Sequence, residues 1–523
     1  MSKQRGIVPR KIKGFRDIDP NLIRIRQHIV DAASAVYKLY GFEHWDTPVI
    51  EYADNLGKYM PDSDTIEQGV YSFRNPEKEP VLNEIGKDLK DEFDVVVMEN
   101  HHLALRYDLT APLARHYAEK LWLNSIKGDL TATNAPLFRR FQYGPVFRYE
   151  AKLDPGRFRE FWQLDFDTVG TRNIAADAEV CMILSEALEA IGLERSSYII
   201  KVNNRKILKG LLQSTGVATE DDEQNILRII DKFDKIGRDG LEAELGKERK
   251  DKSGAIINGL NLDQAIIDKI MFYIDMFIST EDRLTILQKL KSHLTGSEIG
   301  EEGVAELETI NDILTKLNFD EDRIIFDPTL VRGMAYYTGP IFEVESLQTY
   351  KDKKGRKRKV GSICGGGRYD GLVEQLNGIQ VPATGASIGV DRLAELLLLT
   401  EQAKTEIQGP VFIAVFDDQL MPEYQKIARE LRQEGIETEI FYGQQKNMKK
   451  QFSYADKRNC PLAIMIGENE MESGMVSVKD LVLGRQETDI SDRDEWRKKV
   501  QQDVERGNLI SYIKEKLNKR AIT

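Results

Sequence analysis

The amino-acid sequence predicts a multidomain α/β protein in which a helical insertion interrupts an antiparallel sheet, with a small α/β domain after it. Three observations lead to this prediction. The chain has 523 residues, 41% of them apolar, which is more than one compact core usually holds. No proline occurs between Pro155 and Pro328, and amphipathic helices fill the second half of that gap. Segments on both sides of it alternate apolar and polar residues with the period of a β-strand.

Bulk composition narrows the class of protein. The chain has 74 Lys+Arg against 86 Asp+Glu, a formal charge of -12, which argues against general coating of nucleic acid. Cys181, Cys364 and Cys460 are far apart in sequence, which favours a reducing compartment and no structural metal. We find neither a membrane-spanning apolar run nor a signal peptide. We therefore predict a cytoplasmic protein.

The proline-free region predicts the helical insertion. Apolar residues recur there at spacings of three and four, as in helices that bury one face. The segments with this pattern are 225–237, 262–277, 281–293 and 304–317, and polar turns such as GKERKDKSG join them. We therefore predict an insertion domain at 206–319, inside a sheet domain made of 1–205 and 320–402.

The C-terminal region repeats strand, helix and strand from residue 408 to about 485. The strand-like segments are QGPVFIAVFDD, ETEIFYG and PLAIMIGENEMESG, with amphipathic helices between them. This succession predicts an α/β domain of βαβ type at 408–485. The remaining polar tail, 486–523, predicts one or two helices.

The stretch FRYEAKLDPGRFREFWQLDFD, residues 147–167, predicts a charged hairpin. Arginines stand on both sides of its Asp-Pro-Gly turn, and acceptors that share one face follow on the return strand. The arginines are Arg148, Arg157 and Arg159, and the acceptors are Gln163, Asp165 and Asp167. Guanidinium groups beside acceptors suit a ligand with phosphate and ammonium groups. The alternative is a ladder of ion pairs on an exposed sheet face.

Two other segments carry polar side chains in positions where they could contact a ligand. RYDLTAPLARH places Asp108 and Thr110 at a strand end, where a carboxylate and a hydroxyl on one face can hold an ammonium group. The alternative is a turn that resembles a helix N-cap. In LVRGMAYYTG, Tyr336 and Tyr337 point to opposite faces if the segment is extended, so one can pack while the other offers its hydroxyl. Core aromatic residues beside a solvated Arg332 are the alternative.

Glycine-rich segments follow. GGGRYDGL, 365–372, has too many glycines for a packed strand, so we interpret it as backbone that approaches a ligand closely, with a bare loop as the alternative. TGASIGVDRL delivers Asp391 and Arg392 to the start of a helix, where the helix N-terminus and the guanidinium group favour anionic oxygens. A pair of charges that only stabilises the helix is the alternative.

The order of these segments resembles that of the histidyl-tRNA synthetases, a family of class II aminoacyl-tRNA synthetases, over nearly the whole chain. GFEHWDTPVIEYADNL resembles motif 1, with Pro48 at the position associated with the dimer interface. The charged hairpin resembles motif 2, and ATGASIGVDRL resembles motif 3. LVRGMAYYTG and GGGRYDGL resemble the two histidine motifs, and YDLTAP resembles the strand that receives the amino group. KKQFSYADKRNCPLAIMIGE resembles the shared anticodon-binding domain.

This resemblance implies a class II antiparallel sheet flanked by helices, and it implies roles for individual residues. Arg148 and Arg332 would hold the ATP α-phosphate and act in catalysis. The implied ATP-binding set is Arg148, Arg157, Arg392 and Glu150. The implied histidine-binding set is Asp108, Thr110 and Gln163 at the amino group, Asp167 and Tyr337 at the imidazole, and also Arg332, Tyr336 and Gly366. Position 335 is Ala where the family commonly has Asp, and no role is assigned to Ala335.

The implied activity is ATP-dependent ligation of histidine to the 3′ end of tRNA(His) through a histidyl-adenylate, with Mg²⁺ on the ATP. The resemblance also implies a homodimer. For KDKKGRKRK, 351–359, we predict a solvated hairpin tip, with a contact to tRNA phosphate as the alternative. Two other functions remain open: a regulatory paralogue without catalysis, or a class II synthetase for proline, threonine or glycine.

Overall fold

The computed structural model divides into two compact units, Met1–Ala403 and Lys404–Thr523. The residues that the structure describes are 9–57, 69–77, 102–125, 136–150, 153, 156–214, 220–250, 256–275, 282–327, 329–331, 337–352, 354–400, 402, 409–444, 447–486 and 499–521. Within these ranges, no helix is both long enough and apolar enough to cross a membrane.

An eight-stranded sheet forms the centre of the first unit. The strands of this unit are β1 (Glu43–His44), β2 (Ile50–Tyr52), β3 (Ser72–Arg74), β4 (His102–Leu105), β5 (Phe138–Phe147), β6 (Glu160–Val169), β7 (Tyr198–Asn204), β8 (Glu248–Lys250), β9 (Ile256–Asn258), β10 (Ile324–Phe326), β11 (Pro340–Lys351), β12 (Lys357–Arg368) and β13 (Ala383–Gly389). The order in the large sheet is β1-β5-β6-β13-β12-β11-β7-β10. The pairs β1–β5 and β7–β10 are parallel and the others are antiparallel. Strands from both sides of the helical region therefore share one sheet, as predicted.

Helices cover this sheet and form the insertion. They are α1 (Pro20–Leu39), α2 (Ala53–Gly57), α3 (Thr110–Ser125), α4 (Ala175–Ile191), α5 (Arg205–Ser214), α6 (Glu220–Ile230), α7 (Phe233–Leu245), α8 (Gln264–Asp275), α9 (Arg283–Leu294), α10 (Glu298–Lys316), α11 (Glu374–Asn377) and α12 (Val390–Leu399). Asp19 caps α1 by accepting from the backbone N–H of Leu22 at 3.0 Å, and Pro20 occupies the first turn. Both features favour a helix start at this point. The buried face of α1 packs on α4 and α12.

The insertion differs from its prediction in two places. The predicted helix 225–237 is two helices, because α6 ends at Ile230, α7 begins at Phe233, and Gly237 has a φ of 68° that breaks helical geometry. Part of the predicted polar turn GKERKDKSG is strand β8, which pairs with β9. Helices α5 and α10 pack on each other and on β7, within one continuous apolar core. The predicted domain limits at 206 and 319 stay predictions.

The second unit is a five-stranded α/β structure. Its strands are β14 (Val411–Ile413), β15 (Thr438–Ile440), β16 (Leu462–Met465), β17 (Met475–Asp480) and β18 (Gln501–Glu505), in the order β15-β14-β16-β17-β18. Its helices are α13 (Met421–Gln433), α14 (Met448–Lys457), α15 (Glu468–Ser473), α16 (Leu481–Gln486) and α17 (Leu509–Ala521). Strands β14, β15 and β16 are parallel, as βαβ connections require.

The C-terminal tail was predicted as helix alone, and this is wrong over 501–505. Strand β18 pairs antiparallel with β17, so tertiary pairing outweighs the helical preference of its Gln and Glu residues. Leu509 and Ile513 of α17 are fully buried in the core of this unit. The end of the described chain is therefore part of the second unit's sheet and core.

Candidate active site

A cavity of about 360 Å³ lies on the large sheet, with side chains from β6, β11, β12 and β13 in its wall. Every predicted site residue that the structure describes lines it. These residues are Asp108, Thr110, Arg148, Glu150, Arg157, Gln163, Asp167, Tyr337, Gly366 and Arg392. Two other predicted residues, Arg332 and Tyr336, lie outside the described residues, as does Ala335. One cavity thus collects side chains from five separate segments of the sequence.

One end of the cavity is acidic and buried. Asp165 and Asp167 of β6 are only 2% and 3% exposed, so the alternative of an ion-pair ladder on an exposed sheet face is wrong for these two residues. Arg140 is the β5 partner of Asp167 in register, and its guanidinium lies 3.0 Å from Asp167 Oδ2. The Tyr369 hydroxyl donates to Asp167 Oδ1 at 2.5 Å. The ion pair with Arg140 and the hydrogen bond from Tyr369 hold the Asp167 carboxylate, although its Oδ2 has no hydrogen-bond partner among the described residues.

Asp165 has weaker support. Its register partner on β13 is Ser387, which also accepts a hydrogen bond from Gln163 Nε2 at 2.8 Å. Asp165 Oδ1 has no hydrogen-bond partner among the described residues. Burial, followed by the charge of Asp167, raises the pKa of Asp165 to about 7 against the opposing effects of Arg140 and Ser387.

The balance of charge at this end is negative. Burial also raises the pKa of Asp167, although Arg140 and Tyr369 oppose the change, and Asp108 is close enough to add to it. Asp165 and Asp167 thus share the nearby guanidinium of Arg140, and Asp108 is a third carboxyl group in the cavity wall. Buried charge without full compensation is unfavourable in the free protein. A cationic ligand group would provide the compensation.

Asp108 has both of the arrangements considered for it in the sequence: a helix cap and a carboxylate that faces the site. Strand β4 ends at Leu105, so Asp108 follows the strand instead of ending it. Its Oδ1 accepts from the backbone N–H groups of Thr110 at 3.1 Å and Ala111 at 2.9 Å, and α3 begins at Thr110. Asp108 therefore caps a helix. It and Thr110 still face the cavity, so the capping interaction also positions the carboxylate there.

The expectation that the triple glycine is not a packed strand is wrong. Gly365, Gly366 and Gly367 lie within β12, paired with β11 on one side and β13 on the other. A Cβ atom on Gly366 would lie 2.2 Å from the backbone oxygen of Gly385, and one on Gly385 would lie 2.3 Å from Asp167 Oδ1. Only glycine permits this close approach. Gly366 therefore lets β13 pack closely on β12, and Gly385 on β13 makes room for the Asp167 carboxylate.

The other end of the cavity is cationic. Arg148 follows β5, donates from Nε to the backbone oxygen of Tyr107 at 3.0 Å, and lies 4.3 Å over the Tyr107 ring. Arg157 is about half exposed and is 3.9 Å from the Glu150 carboxylate. Arg392, in the first turn of α12, also lines the cavity. Three guanidinium groups beside one carboxylate suit a polyanion such as a triphosphate.

Two charged residues singled out in the sequence have structural roles. Arg159 is buried and does not line the cavity; its Nε donates to the backbone oxygen of Glu150 at 3.2 Å. Asp391 is also buried and accepts from Arg16 at 2.9 Å and Arg26 at 2.7 Å. Asp391 therefore joins α12 to Arg16 and Arg26, which differs from the helix-stabilising pair given as the alternative, whereas its neighbour Arg392 reaches the cavity.

Sequence reasoning missed several groups at the acidic end. Asp165 stood in the quoted hairpin but received no role, and Tyr369 stood in GGGRYDGL, where only Gly366 was chosen. The signal for Asp165 was its position between two selected acceptors on one strand face. Arg140 and Ser387 are brought in by strand register, which one sequence does not supply.

Comparisons with known proteins agree with this geometry. The family model for histidyl-tRNA synthetase matches residues 77–393, and the anticodon binding domain model matches residues 410–516. The histidine–tRNA ligase of Ruegeria sp. (strain TM1040) is 41% identical, over 98% of this chain and 96% of that protein. The histidine–tRNA ligase of Paracoccus denitrificans (strain Pd 1222) is 42% identical over 96% of each chain.

A solved structure extends the agreement to the fold. The crystal structure of histidyl-tRNA synthetase from Nostoc sp. PCC 7120 has a TM-score of 0.68 and 28% identity, covering 98% of this chain and 100% of that one. Motif order, the mostly antiparallel sheet and these nearly full-length matches lead to the same assignment. The chain belongs to the histidyl-tRNA synthetase family, class II aminoacyl-tRNA synthetases with an anticodon-binding domain.

Proposed function

We propose that this chain ligates L-histidine to the 3′ end of tRNA(His) in two steps, through a histidyl-adenylate. The observation that carries the proposal is the division of charge within a single cavity. Its buried acidic end suits an ammonium group and an imidazole, and its arginine-lined end suits a triphosphate. Histidine and ATP bound at these two ends would bring the amino-acid carboxylate towards the α-phosphate.

In the first step, a histidine carboxylate oxygen attacks the α-phosphorus of ATP, the bond to the bridging oxygen of the β-phosphate breaks, and pyrophosphate leaves. No protein nucleophile is required. The chain positions both reactants and stabilises the negative charge that develops on the α-phosphate. We assign that role to Arg148, whose orientation is held by the Tyr107 carbonyl, and to Arg332, which lies outside the described residues.

At the histidine end, we assign the imidazole to Asp167 and Tyr337, and we keep Gly366, which lines the cavity, in the histidine-binding set. A neutral imidazole has one N–H donor and one nitrogen acceptor. Asp167 would accept from the N–H, and the Tyr337 hydroxyl would donate to the other nitrogen. Side chains without this pattern would leave buried polar groups unpaired, which is a strong source of discrimination. Tyr336 keeps its implied histidine-binding role as a proposal.

We assign the α-ammonium group to Asp108, Thr110 and Gln163, and we add Asp165 to this set. Asp165 has a buried carboxylate oxygen without a hydrogen-bond partner among the described residues, and its pKa is raised to about 7. An ammonium group within hydrogen-bonding distance would supply a donor and compensate its charge. Binding of histidine would then favour the ionised form of Asp165 and release a proton.

At the ATP end, we assign the β- and γ-phosphates to Arg157 and Arg392, and the nucleotide-associated Mg²⁺ to Glu150. Mg²⁺ typically binds one or two carboxylates together with substrate phosphates. Glu150 fits this use because it is a carboxylate in the cavity wall near Arg157, at the arginine-lined end. The ion would neutralise phosphate charge during the first step.

In the second step, a hydroxyl of the 3′-terminal ribose attacks the acyl carbon, the bond from that carbon to the AMP oxygen breaks, and AMP leaves as the hydroxyl loses its proton. The second unit, which matches the anticodon binding domain model, would bind the anticodon. We also propose a homodimer in the cytoplasm. Val49, Ile50 and Tyr52, beside Pro48, are exposed apolar residues that suit a subunit interface.

The direct test of activity is ATP–pyrophosphate exchange with each of the twenty amino acids, without tRNA. Exchange with histidine alone is expected, and it would also show that Ala335 is compatible with catalysis. Exchange with proline, threonine or glycine instead would identify another class II specificity. A folded protein that binds histidine but supports no exchange would instead be a regulatory paralogue.

A further inference from the structure

The β11–β12 hairpin extends beyond the sheet that contains it. Strand β7 pairs with β11 only from Pro340 to Ser346, and β13 pairs with β12 only from Cys364 to Arg368. Beyond these limits β11 and β12 pair only with each other, and the last pair is Lys351 with Lys357. Within the described residues, the outer hairpin is a two-stranded ribbon with no third strand. Such a ribbon adds little to the core of the protein.

The end of this ribbon concentrates positive charge. We call residues 351–359, KDKKGRKRK, the basic tip; it contains seven Lys or Arg residues and one Asp. The whole protein has a formal charge of -12. Every described residue of the basic tip except Asp352 is exposed. A local excess of cations on an acidic protein is the arrangement expected where one surface meets a polyanion.

Part of this charge is compensated within the basic tip, and part is not. The Asp352 carboxylate accepts from Arg356 Nε at 2.8 Å and from Arg358 Nε at 3.2 Å. Lys351 and Lys357 are directly opposite each other in the ladder, and neither has an ion-pair partner among the described residues. Like charges in directly opposed positions destabilise a strand pair. An anion bound between the two lysines would remove this repulsion.

The basic tip lies beyond the same end of the large sheet as the cationic end of the active-site cavity. Cys364 of β12 is in the cavity wall, and its partner on β11 is Val344. Seven residues farther along β11 is Lys351, on the order of 20 Å away at about 3.3 Å per residue. Strand register directs the β5–β6 turn, which carries Arg157, towards the same end of the sheet. A nucleic acid with its 3′ end in the cavity would therefore pass near the basic tip.

We propose that the basic tip binds the phosphate backbone of the acceptor arm of the tRNA, with Lys351 and Lys357 as the main contacts. The identity of the RNA rests on the proposed function; the charge and position of the ribbon do not. Phosphate contacts position a nucleic acid without reading its sequence. The basic tip thus contributes to tRNA affinity and to placement of the 3′ end, and it takes no part in adenylate formation.

The test is the double variant Lys351→Gln/Lys357→Gln of the full-length protein. Binding of a tRNA(His) transcript should weaken at least about tenfold at 0.1 M salt, and the slope of log K against log salt should fall by about 2. The KM for tRNA in aminoacylation should rise in parallel. ATP–pyrophosphate exchange without tRNA should be unchanged, which also shows that the variant is folded. Lys351→Arg/Lys357→Arg should retain binding.

The matched control is Lys38→Gln/Arg172→Gln, which removes the same charge from exposed residues. Lys38 ends α1 just before β1, and Arg172 follows β6, so both are at the end of the sheet opposite the basic tip. This control should weaken tRNA binding by less than about twofold, because distant exposed charges are screened by salt. A general effect of net charge would instead weaken both double variants equally.

Two results would overturn the proposal. One is tRNA binding by Lys351→Gln/Lys357→Gln that equals that of the control at every salt concentration. The other is a loss with the full tRNA that does not appear with a minihelix containing only the acceptor arm, because the contact would then lie elsewhere on the RNA. RNA binding is measured without catalysis. Failure of the wild-type protein to activate histidine would therefore remove the proposed function and leave this test intact.

Discussion

The two ends of the active-site cavity are built in different ways. At the acidic end, which we assign to histidine and call the histidine end, Asp165 and Asp167 lie on a central strand, almost completely buried, and their neighbours come from adjacent strands. At the cationic end, which we assign to ATP and call the ATP end, Arg157 belongs to the turn after β5 and is about half exposed, and Arg392 is carried by a helix. Paired strands therefore support the end of the cavity that we assign to histidine. A turn and a helix support the end that we assign to the triphosphate of ATP.

This difference has an energetic reason. A buried carboxylate without full compensation is costly, so each one at the histidine end favours a ligand that brings a matching donor or charge. An exposed arginine has little such cost, and its attraction to phosphate acts over a longer range. We therefore expect substitutions at the ATP end to affect catalysis for any bound amino acid. Substitutions at the histidine end should affect affinity and specificity for histidine.

The largest effect is expected for Arg148→Gln. Loss of a guanidinium at the reacting phosphate should reduce ATP–pyrophosphate exchange about 10²- to 10³-fold, comparable to loss of a transition-state hydrogen-bond donor in other enzymes. Arg159→Gln is the matched control, because Arg159 is in the same hairpin but outside the cavity. It should retain exchange to within a few-fold while lowering the melting temperature. Equal losses of exchange in the two variants would contradict the assignment of Arg148.

A smaller, pH-dependent effect is expected for Asp165→Asn. Loss of a charge-assisted hydrogen bond should weaken histidine binding about 10- to 100-fold at pH 8. At pH 6 the difference should shrink, because the pKa of Asp165 is raised to about 7 and the wild-type carboxyl is then largely neutral before binding. Titration of the ligand affects both proteins equally and cancels in their ratio. A ratio that stays constant from pH 6 to pH 8 would exclude Asp165 from the ammonium site.

The raised pKa of Asp165 also predicts how the stability of the protein changes with pH. Because the folded-state pKa of Asp165 is raised above the usual value of 3.8, the folded protein holds this proton more tightly than the unfolded chain does. Its contribution to stability therefore falls as pH rises from about 4 through 7. Without ligands, Asp165→Asn should raise the melting temperature at pH 8 more than at pH 5. A variant that is less stable than the wild type at pH 8 would contradict this account.

The smallest effect is expected for Tyr369→Phe. This change removes the hydroxyl that donates to Asp167 Oδ1 but keeps the ring, and one lost hydrogen bond corresponds to about 1 kcal/mol. The KM for histidine should rise about fivefold, with little change in the maximal exchange rate. Tyr198→Phe is a suitable control, because its buried hydroxyl hydrogen-bonds to Ser185 outside the cavity. A similar rise in KM in that control would indicate a general effect of buried hydroxyl loss.

The sequence was sufficient for those parts of the site that adjacent residues determine. Alternation along one strand placed Gln163, Asp165 and Asp167 on a common face, and the structure has them all at the cavity. Contacts between strands that are distant in the sequence could not be predicted in this way. Arg140 and Ser387 meet Asp167 and Asp165 only through the register of three strands, and a hydrophobic pattern does not specify register between distant segments.

Local composition was also misleading where tertiary contacts decide the structure. Gly365–Gly367 looked unsuited to a packed strand, yet the close approach of β13 to Gly366 excludes any side chain there. The polar residues of β18 looked helical, yet pairing with β17 makes them a strand. Asp108 looked like either a ligand-binding residue or a helix cap. The structure shows that it caps α3 and faces the cavity with the same side chain.

The most direct test of the divided cavity is to measure two ligands against two variants by calorimetric titration. Histidinol carries the ammonium and imidazole groups without the carboxylate, and ATP carries the triphosphate. We predict that Asp165→Asn weakens histidinol binding at pH 8 and leaves ATP binding unchanged, whereas Arg148→Gln weakens ATP binding and leaves histidinol binding unchanged. If each variant weakened both ligands to the same extent, the two ends of the cavity would not be separate binding regions, and the account would be wrong.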